Sequence, residues 1–249
     1  MTQRFKLTIA YDGTAYNGWQ VQAAGLATIQ GICEETLAAI FGHPVNLHAS
    51  GRTDQGVHAK GQVAHFDAET RMKPVNILNA CNARLPKDIR VLRAVRCAKK
   101  FHARFDAKSK EYRYFFWNDA LMPPEKRLYH GHAPQPLDLA AMQTAAAHFV
   151  GEHDFAAFTA NAQREVKTTV RTIFSCSVAK RGKVVTIRVR GNGFLYKQVR
   201  SIAGFLLRVG EGAELPDAVL ELLNEPPPRT ARVPSARPQG LFLWRVWYK

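Results

Sequence analysis

The clearest pattern along the chain is the alternation of apolar with polar residues, which is typical of strands with one buried face. In the first such segment, Phe5, Leu7 and Ile9 alternate with polar neighbours. Two later segments are separated only by Lys180-Arg181-Gly182, and this spacing predicts a hairpin. The strands predicted in this way are Arg4–Tyr11, Ile89–Cys97, Lys110–Trp117, Val170–Ala179, Lys183–Arg190 and Leu241–Tyr248.

Apolar residues at helical spacing, together with capping residues, predict helices between these strands. Thr28 is suited to cap the first helix, Pro74 suits the first turn of the second, and Asp138 is suited to cap the third. A fourth helix follows the bend at Gly191-Asn192-Gly193, and a short fifth covers Asp217–Leu223. Three of these helices have a well-defined apolar stripe, formed by Ile29, Ile32, Cys33, Thr36, Leu37, Ile40 and Phe41; by Ala141, Met142, Ala145, Ala146 and Phe149; and by Val199, Ile202, Ala203, Phe205, Leu206 and Val209.

Strands and helices alternate with hairpins in both parts of the chain, which predicts an α+β fold with a mainly antiparallel sheet. A polar and aromatic segment, Phe101–Asp106, separates the two parts. We therefore divide the chain into an N-terminal half, residues 1–104, and a C-terminal half, residues 105–249. The Pro- and Arg-rich segment Glu225–Gln239 is predicted to be a surface loop.

The composition indicates a polyanionic partner. Lysine and arginine total 35 against 20 acidic residues, a formal net charge of +15, while 46% hydrophobic content is enough for a sizeable core. Aromatic residues interleave with the basic segments, and this favours RNA over an anionic membrane surface. The basic positions predicted to follow RNA phosphates are Arg164–Arg171, Lys180–Lys183, Arg188, Arg190 and Lys197.

Neither a metal site nor a membrane segment is predicted. The two histidines His130 and His132 have no third ligand nearby in the pattern, and no apolar run has the length of a membrane span. No basic-then-apolar leader is visible either. The four cysteines form no Cys-x-x-Cys pair, so we expect no zinc, no disulfide and a reducing compartment; they are Cys33, Cys81, Cys97 and Cys176.

One stretch combines turn residues with groups that can do chemistry. It runs Ala49-Ser50-Gly51-Arg52-Thr53-Asp54-Gln55-Gly56-Val57-His58-Ala59, between two short segments of strand character, Val45–His48 and Gln62–Phe66. The turn places a carboxylate, Asp54, two residues from a guanidinium, Arg52, on a loop that a sheet can hold rigid. An aspartate in such a turn can equally serve only to bond backbone amides. His58 and His65 are interpreted as structural histidines rather than as general bases.

This stretch resembles the signature of the tRNA pseudouridine synthase A family, Gly-Arg-Thr-Asp-Ala-Gly-Val-His-Ala, from which the chain departs at Gln55. The likeness covers nearly the whole chain, and several motifs in the family's order are more specific than any single one. The further motifs are Tyr11-Asp12-Gly13-Thr14-x-Tyr16-x-Gly18-Trp19-Gln20, Glu111-Tyr112-Arg113-Tyr114, Gly151-Glu152-His153-Asp154-Phe155, Phe194 with Val199-Arg200, and Gly240-Leu241-Phe242-Leu243.

The resemblance implies a fold and a reaction. The fold is two similar α/β halves that share one mainly antiparallel sheet, with helices packed on one side and a cleft between the halves. The reaction is the isomerisation of uridine to pseudouridine at positions 38, 39 and 40 in the anticodon stem-loop of tRNA, by a cytoplasmic homodimer. No electrons are gained or lost in this reaction, so no cofactor is expected.

Five residues are candidates for this chemistry, and the resemblance supplies the roles of two of them, Arg200 and Tyr112. Asp54 is the carboxylate that attacks the ribose carbon, or that stabilises a cation there and takes a sugar proton. Arg200 is its basic partner, because a nearby guanidinium favours the ionised carboxyl. Arg52 is expected to fill the space of the flipped base or to hold a phosphate. Tyr112 is expected to stack on the uracil, and Leu195 to pack beneath the site.

Two other functions fit part of the pattern. A non-catalytic basic RNA-binding or RNA-folding protein would need the same charge. A nucleoside or base glycosidase would pass through the same sugar cation, although the motif has no second carboxylate to act as a separate acid. Tyr114 and Phe116 share a strand face with Tyr112 and are assigned to the core.

Overall fold

The computed structural model describes residues 2–22, 25–160, 168–224 and 230–248. Its strands are β1 (Thr2–Tyr11), β2 (His48–Ala49), β3 (His58–Glu69), β4 (Ile89–Cys97), β5 (Ser109–Trp117), β6 (Gly131–His132), β7 (Gly151–Asp154), β8 (Val170–Arg181), β9 (Val184–Gly191) and β10 (Leu241–Trp247). Its α-helices are α1 (Ile29–Phe41), α2 (Pro74–Arg84), α3 (Leu139–His148), α4 (Gln198–Gly210) and α5 (Ala218–Asn224).

Contacts between residues divide the chain into two compact units. The first contains Met1–Lys108 and Phe242–Lys249, and the second contains Ser109–Leu241. The sequence division into 1–104 and 105–249 remains a prediction about domains. In the structure, residues 242–249 are grouped with the first unit rather than with the segment that precedes them.

In the first unit, β1 lies between β4 and β3 and is antiparallel to both. Every second residue of β1 from Phe5 to Tyr11 is buried, as the alternating sequence predicts. β10 runs parallel to the start of β3, with Phe242 opposite His58, while Tyr11 of β1 lies opposite Ala59. The start of β3 is therefore held by a strand on each side.

In the second unit, β9 lies between β5 and β8 and is antiparallel to both, and β7 continues this arrangement beyond β8. The short β6 pairs in parallel with the end of β5. Helix α3 packs against β8 and α4. The helices rest on a buried aromatic cluster in which the Phe158 ring centroid lies 5.0 Å from that of Phe149 and 5.8 Å from that of Phe205.

The predicted caps account for the helix starts. The Gly31 N–H donates to Thr28 Oγ1 (3.2 Å), and the Ala141 N–H donates to Asp138 Oδ1 (2.9 Å). Pro74 occupies the first turn of α2. The α+β class and the mainly antiparallel pairing predicted from the sequence are confirmed.

One strand prediction needed correction, and two short strands, β6 and β7, were not predicted. Of the segment Val45–His48, only His48 belongs to a strand, because the Leu47 N–H donates to the Glu34 carboxylate of α1 (2.8 Å) rather than to a sheet. Strand β7 was missed, since its four residues, Gly151–Asp154, are mostly polar and too short to show alternation. Across the residues that the structure describes, none of the helices has the length and apolar character needed to span a membrane.

Candidate active site

The stretch with the signature forms a loop, residues 50–57, between β2 and β3. Buried hydrogen bonds fix its first residues against β3: the Ser50 N–H donates to the Val63 carbonyl (2.7 Å) and Ser50 Oγ to Gln62 Oε1 (2.8 Å). The amide of Gln62 also donates to the Gly51 carbonyl (2.7 Å). Because Gln62 is fully buried, it acts as a clamp on the start of the loop.

The middle of the loop is tied to β1 and to the segment after it. Thr53 is buried, and its Oγ1 lies 2.7 Å from the hydroxyl of Tyr11, whose pKa is raised by burial. The Thr53 carbonyl accepts from the Trp19 N–H (3.0 Å). At the end of the loop, the Val57 N–H donates to the Asp54 carbonyl (3.1 Å), which closes a turn. Asp54 therefore sits between two backbone positions that are both fixed.

Two glycines let the segment 12–19 lie directly against this loop. A Cβ atom at Gly13 would lie 2.1 Å from the Val57 carbonyl oxygen, and one at Gly18 would lie 2.7 Å from the Thr53 carbonyl oxygen. Gly18 also has φ +85°, which disfavours any residue with a side chain. The path of the Asp54 loop is thus set by backbone packing rather than by its own side chains.

These backbone contacts determine which side chains of the loop are buried and which are exposed. Thr53 points inward, Asp54 is half-buried, and Arg52 and Gln55 are exposed. Gln55, the one departure from the family signature, can therefore extend into solvent without displacing the fixed backbone. Arg52 and Asp54 are the two predicted site residues that the first unit contributes.

The two histidines of β3 have structural contacts. His58 is buried, and its Nδ1 accepts from the Gly13 N–H (3.0 Å). An Asp12 carboxylate oxygen also lies 3.1 Å from Nδ1, so this ring nitrogen contacts both Asp12 and Gly13. His65 is buried as well, and its Nδ1 accepts from the Ala103 N–H (3.1 Å). Neither histidine is placed as a general base.

His65 makes the stability of the first unit depend on pH. Burial, together with the nearby charges of Arg4, His102 and His48, lowers the pKa of His65 from 6.5 to about 4, and Asp67 opposes this shift. Between these two pH values, the imidazole of His65 binds a proton in the unfolded chain but not in the folded chain. We expect the free energy of unfolding to fall as pH drops from about 6.5 to about 4.

The variant His65→Asn tests this expectation. Asparagine keeps an acceptor near the position of Nδ1 but does not titrate. In urea titrations between pH 7 and pH 4.5, the midpoint of the variant should fall less steeply than that of the wild type. Parallel curves would show that another group, such as His102, whose pKa burial also lowers, carries the acid sensitivity.

In the second unit, Tyr112 lies on β5 opposite Val189 of β9. Its ring meets the Phe194 ring edge-on, with the centroids 5.2 Å apart, and only 8% of its surface is exposed. Tyr114 and Phe116 are buried on the same face, as the sequence predicts for core residues. The half-buried Phe194 therefore covers part of the Tyr112 ring.

Helix α4 begins at Gln198, three residues after Leu195. Leu195 is buried, and its N–H donates to Oε1 of Gln198 (2.8 Å). Lys197, just before the helix, has φ 58°, an uncommon conformation for a residue with a side chain. This tight bend fixes the direction in which α4 leaves β9, and so the position of Arg200 in its first turn.

A segment that the sequence did not connect with the site, residues 233–237, holds Arg200 in place. Arg200 Nε donates to the Ala236 carbonyl (2.8 Å), and the Ala236 N–H donates to the Arg200 carbonyl (2.9 Å). The segment lies very close to α4 at Gly204, where a Cβ atom would be only 2.2 Å from the Pro234 carbonyl oxygen. A glycine inside a predicted helix was the available sequence signal.

The same segment also touches the tyrosine strand. The Tyr114 hydroxyl donates to the Arg237 carbonyl (2.8 Å), so residues 233–237 connect β5 with α4 inside the second unit. Tyr112, Leu195 and Arg200 are the predicted site residues of this unit. Among the residues that the structure describes, no group of three or more His, Cys, Asp or Glu side chains could hold a metal ion.

The basic residues predicted to contact RNA include three that are exposed, Lys180, Lys183 and Arg188. Two of them have partners within the chain: Lys180 Nζ donates to Asn118 Oδ1 (2.6 Å) and Lys183 Nζ to Asp119 Oδ2 (2.5 Å). Residues 164–167, half of the predicted segment Arg164–Arg171, lie outside the described residues, as do residues 225–229 of the predicted surface loop.

Comparison with known proteins gives a consistent result. A family profile described as tRNA pseudouridine synthase matches residues 7–106 and 145–249. A protein of Geotalea uraniireducens named tRNA pseudouridine synthase A is 50% identical over 246 residues, which is 99% of this chain and 100% of that protein. A protein of Exiguobacterium sibiricum with the same name is 44% identical over 99% of this chain and 97% of its own length.

A solved structure was also matched. It is a chain of an archaeal box H/ACA sRNP Nop10–Cbf5 complex, with a TM-score of 0.33 and 14% identity. The match covers 82% of this chain and 44% of that chain.

Proposed function

This chain belongs to the tRNA pseudouridine synthase family, and we propose that it isomerises uridine at positions 38, 39 and 40 in the anticodon stem-loop of tRNA, with Asp54 as the nucleophile. As a member of this family it is an isomerase. The observation that carries the role of Asp54 is its half-buried carboxylate on a loop whose backbone is fixed by Tyr11, Trp19 and Gln62.

The proposed chemistry balances without a co-reactant. The bond from N1 of uracil to the ribose C1′ breaks, Asp54 forms a bond to C1′, and the detached uracil turns. C5 then forms a bond to C1′ as the carboxylate leaves, C5 loses its proton, and N1 gains one. The sugar carbon passes through a cation-like state, as in glycoside hydrolysis, so an anion held rigidly beside it lowers the barrier.

The other site residues have supporting roles in this proposal. Arg200, whose Nε is held by the Ala236 carbonyl, is the proposed basic partner of Asp54. Exposed Arg52 fills the space that the flipped nucleotide leaves, or holds a phosphate. Tyr112 stacks on the uracil, and Leu195 supplies apolar surface beneath the site.

The setting of the reaction is also part of the proposal. The formal charge of +15 suits an RNA partner and predicts binding that weakens steeply as salt rises. We propose a homodimer that works in the cytoplasm, where its tRNA substrate is found. A non-catalytic RNA-binding protein on the same scaffold is not favoured, because the relatives are named as synthases over their full length.

The direct test uses purified protein and unmodified tRNA transcripts. Transcripts that keep one uridine at position 38, 39 or 40, with cytidine at the other two, are incubated with the protein and mapped by carbodiimide-dependent reverse-transcription stops. Pseudouridine at these positions and nowhere else is expected. Modification outside the anticodon arm would contradict the site assignment, and no modification in any tRNA would contradict the enzyme assignment.

Tyr112→Ala is expected to lower the rate of modification at saturating tRNA by about 5- to 100-fold, since base stacking on an aromatic ring contributes about 1–3 kcal/mol. Affinity for tRNA should change by less than about threefold, because most of the binding energy comes from phosphate contacts. Tyr112→Phe keeps the ring and serves as the matched control. Equal losses of rate and affinity, together with a lower melting temperature, would instead indicate a packing defect.

A further inference from the structure

Residues 102–106 form a small closed turn that presents Phe105 to solvent. The Asp106 N–H donates to the His102 carbonyl (3.0 Å), and the His102 N–H donates to Asp106 Oδ2 (2.9 Å). His102 Nδ1 accepts from the N–H groups of Arg104 (3.1 Å) and Phe105 (3.3 Å). Phe105 is therefore 74% exposed and yet held on a rigid turn. An exposed, ordered apolar ring of this kind indicates a contact surface.

A column of aromatic rings supports Phe105 from below. Its ring stacks on that of His102, with centroids 4.2 Å apart and planes 30° apart. His102 meets the buried His65 edge-on at 4.7 Å, and His65 stacks on His48 at 5.1 Å. The Phe105 ring is thus stacked on His102, and 74% of the residue nevertheless remains exposed. That geometry suits a further planar group.

The surroundings of this ring are cationic. The segment 98–108 carries four exposed basic side chains and one carboxylate, that of Asp106. The guanidinium carbon of Arg104 lies 5.8 Å from the Phe105 ring centroid. The basic residues are Lys99, Lys100, Arg104 and Lys108. An aromatic face within a group of cations is the combination that binds unpaired nucleotides.

We propose that Phe105 is a stacking platform for an unpaired base of the RNA substrate, with Lys99, Lys100 and Arg104 binding the neighbouring phosphates. The proposal rests on the proposed function for the identity of the RNA as tRNA. The platform belongs to the same unit as the Asp54 loop. His65, which contacts His102 beneath the platform, lies on β3 three residues from Gln62, whose side chain holds the start of the Asp54 loop. These two residues are about 10 Å apart along the strand.

Charge favours RNA over a second copy of this chain as the occupant. In a symmetric contact between two copies, the same patch would face itself. Four cations on each side would then meet four cations of the other copy, which opposes association. RNA supplies both the planar group and the opposite charge.

The test compares Phe105→Ala with Phe105→Tyr, which keeps the ring. The measured quantity is the Kd for an unmodified tRNA transcript and for a blunt RNA duplex without unpaired bases, at the same salt concentration. We expect Phe105→Ala to bind the transcript about 5- to 100-fold more weakly and the duplex within about twofold of wild type. Phe105→Tyr should bind both as wild type does. Leu215→Ala, at a residue 76% exposed in the second unit, is the matched control.

Three outcomes would overturn the proposal: wild-type affinity of Phe105→Ala for the transcript, equal weakening for transcript and duplex, or a lower oligomeric mass of Phe105→Ala in light scattering with unchanged affinity. The last would assign the ring to contact between copies. Failure of the proposed function looks different, because the wild-type protein would then form no pseudouridine.

Discussion

Asp54→Asn is expected to lower pseudouridine formation by a factor on the order of 10⁴ or more, while tRNA affinity stays within about threefold of wild type. The amide has nearly the shape of the carboxylate, but it is neither anionic nor nucleophilic. The loop bonds formed by Ser50, Gly51 and Thr53 do not involve the altered group, so the loop should keep its path. Tritium release from tRNA labelled at C5 of uridine measures the rate, and filter binding measures the affinity.

Gln55→Ala is the matched control for this experiment. It alters the next residue of the same loop, which is exposed, and restores the small residue of the family signature. Its rate should equal that of the wild type. Full activity of Asp54→Asn would remove Asp54 from the mechanism, and a parallel loss of affinity would point to a role in binding rather than in catalysis.

The second large effect is expected from Gly13→Ala. The new methyl group would lie 2.1 Å from the Val57 carbonyl oxygen and 2.7 Å from the carbonyl carbon, both of which are backbone atoms that cannot rotate away. Relief requires a shift of the Asp54 loop or of segment 12–19. We expect destabilisation of about 1–3 kcal/mol or more. We also expect a rate loss of about 100-fold, because a shift of about 1 Å at a reacting group is enough for that.

Thermal melting and single-turnover rates measure these two effects. Ala15→Ser adds one heavy atom to an exposed residue of the same segment and should leave both quantities unchanged. If Gly13→Ala melted and turned over like the wild type, the close approach of the two backbones would not set the loop geometry. A normal melting temperature with a slow rate would show that the loop shifts without loss of packing.

Much of the fold could be predicted because its signals are local. The alternation in β1 and the caps at Thr28 and Asp138 depend on neighbouring residues, and the structure has them as expected. The parallel pairing of β10 with β3 was not predicted, because it joins residues nearly 200 positions apart and leaves no periodic trace. The four-residue strand β7 is too short for any period to show.

The candidate site also has features that could be predicted from the sequence and features that could not. Asp54 and Arg200 could be predicted as site residues from the motifs alone, because both lie in segments that resemble those of the family. What orients them was not evident from the motifs. In the sequence, Gln62 is simply a polar residue in a strand and Gly204 a glycine in a helix. The structure shows that Gln62 donates to the Gly51 carbonyl and that Gly204 lies against the Pro234 carbonyl. Such roles depend on which distant backbone comes close, which one sequence does not contain.

The pairing of β10 with the start of β3 has a consequence for biosynthesis. Phe242 stacks on His58, with ring centroids 4.5 Å apart, just where the Asp54 loop ends. Residues 2–108 are synthesised well before residue 242. The edge of β3 that pairs with β10 therefore stays unpaired in the nascent first unit until the second unit has been translated. The support of the Asp54 loop is therefore completed late, and in an unfinished chain still on the ribosome this loop would not yet have its final surroundings.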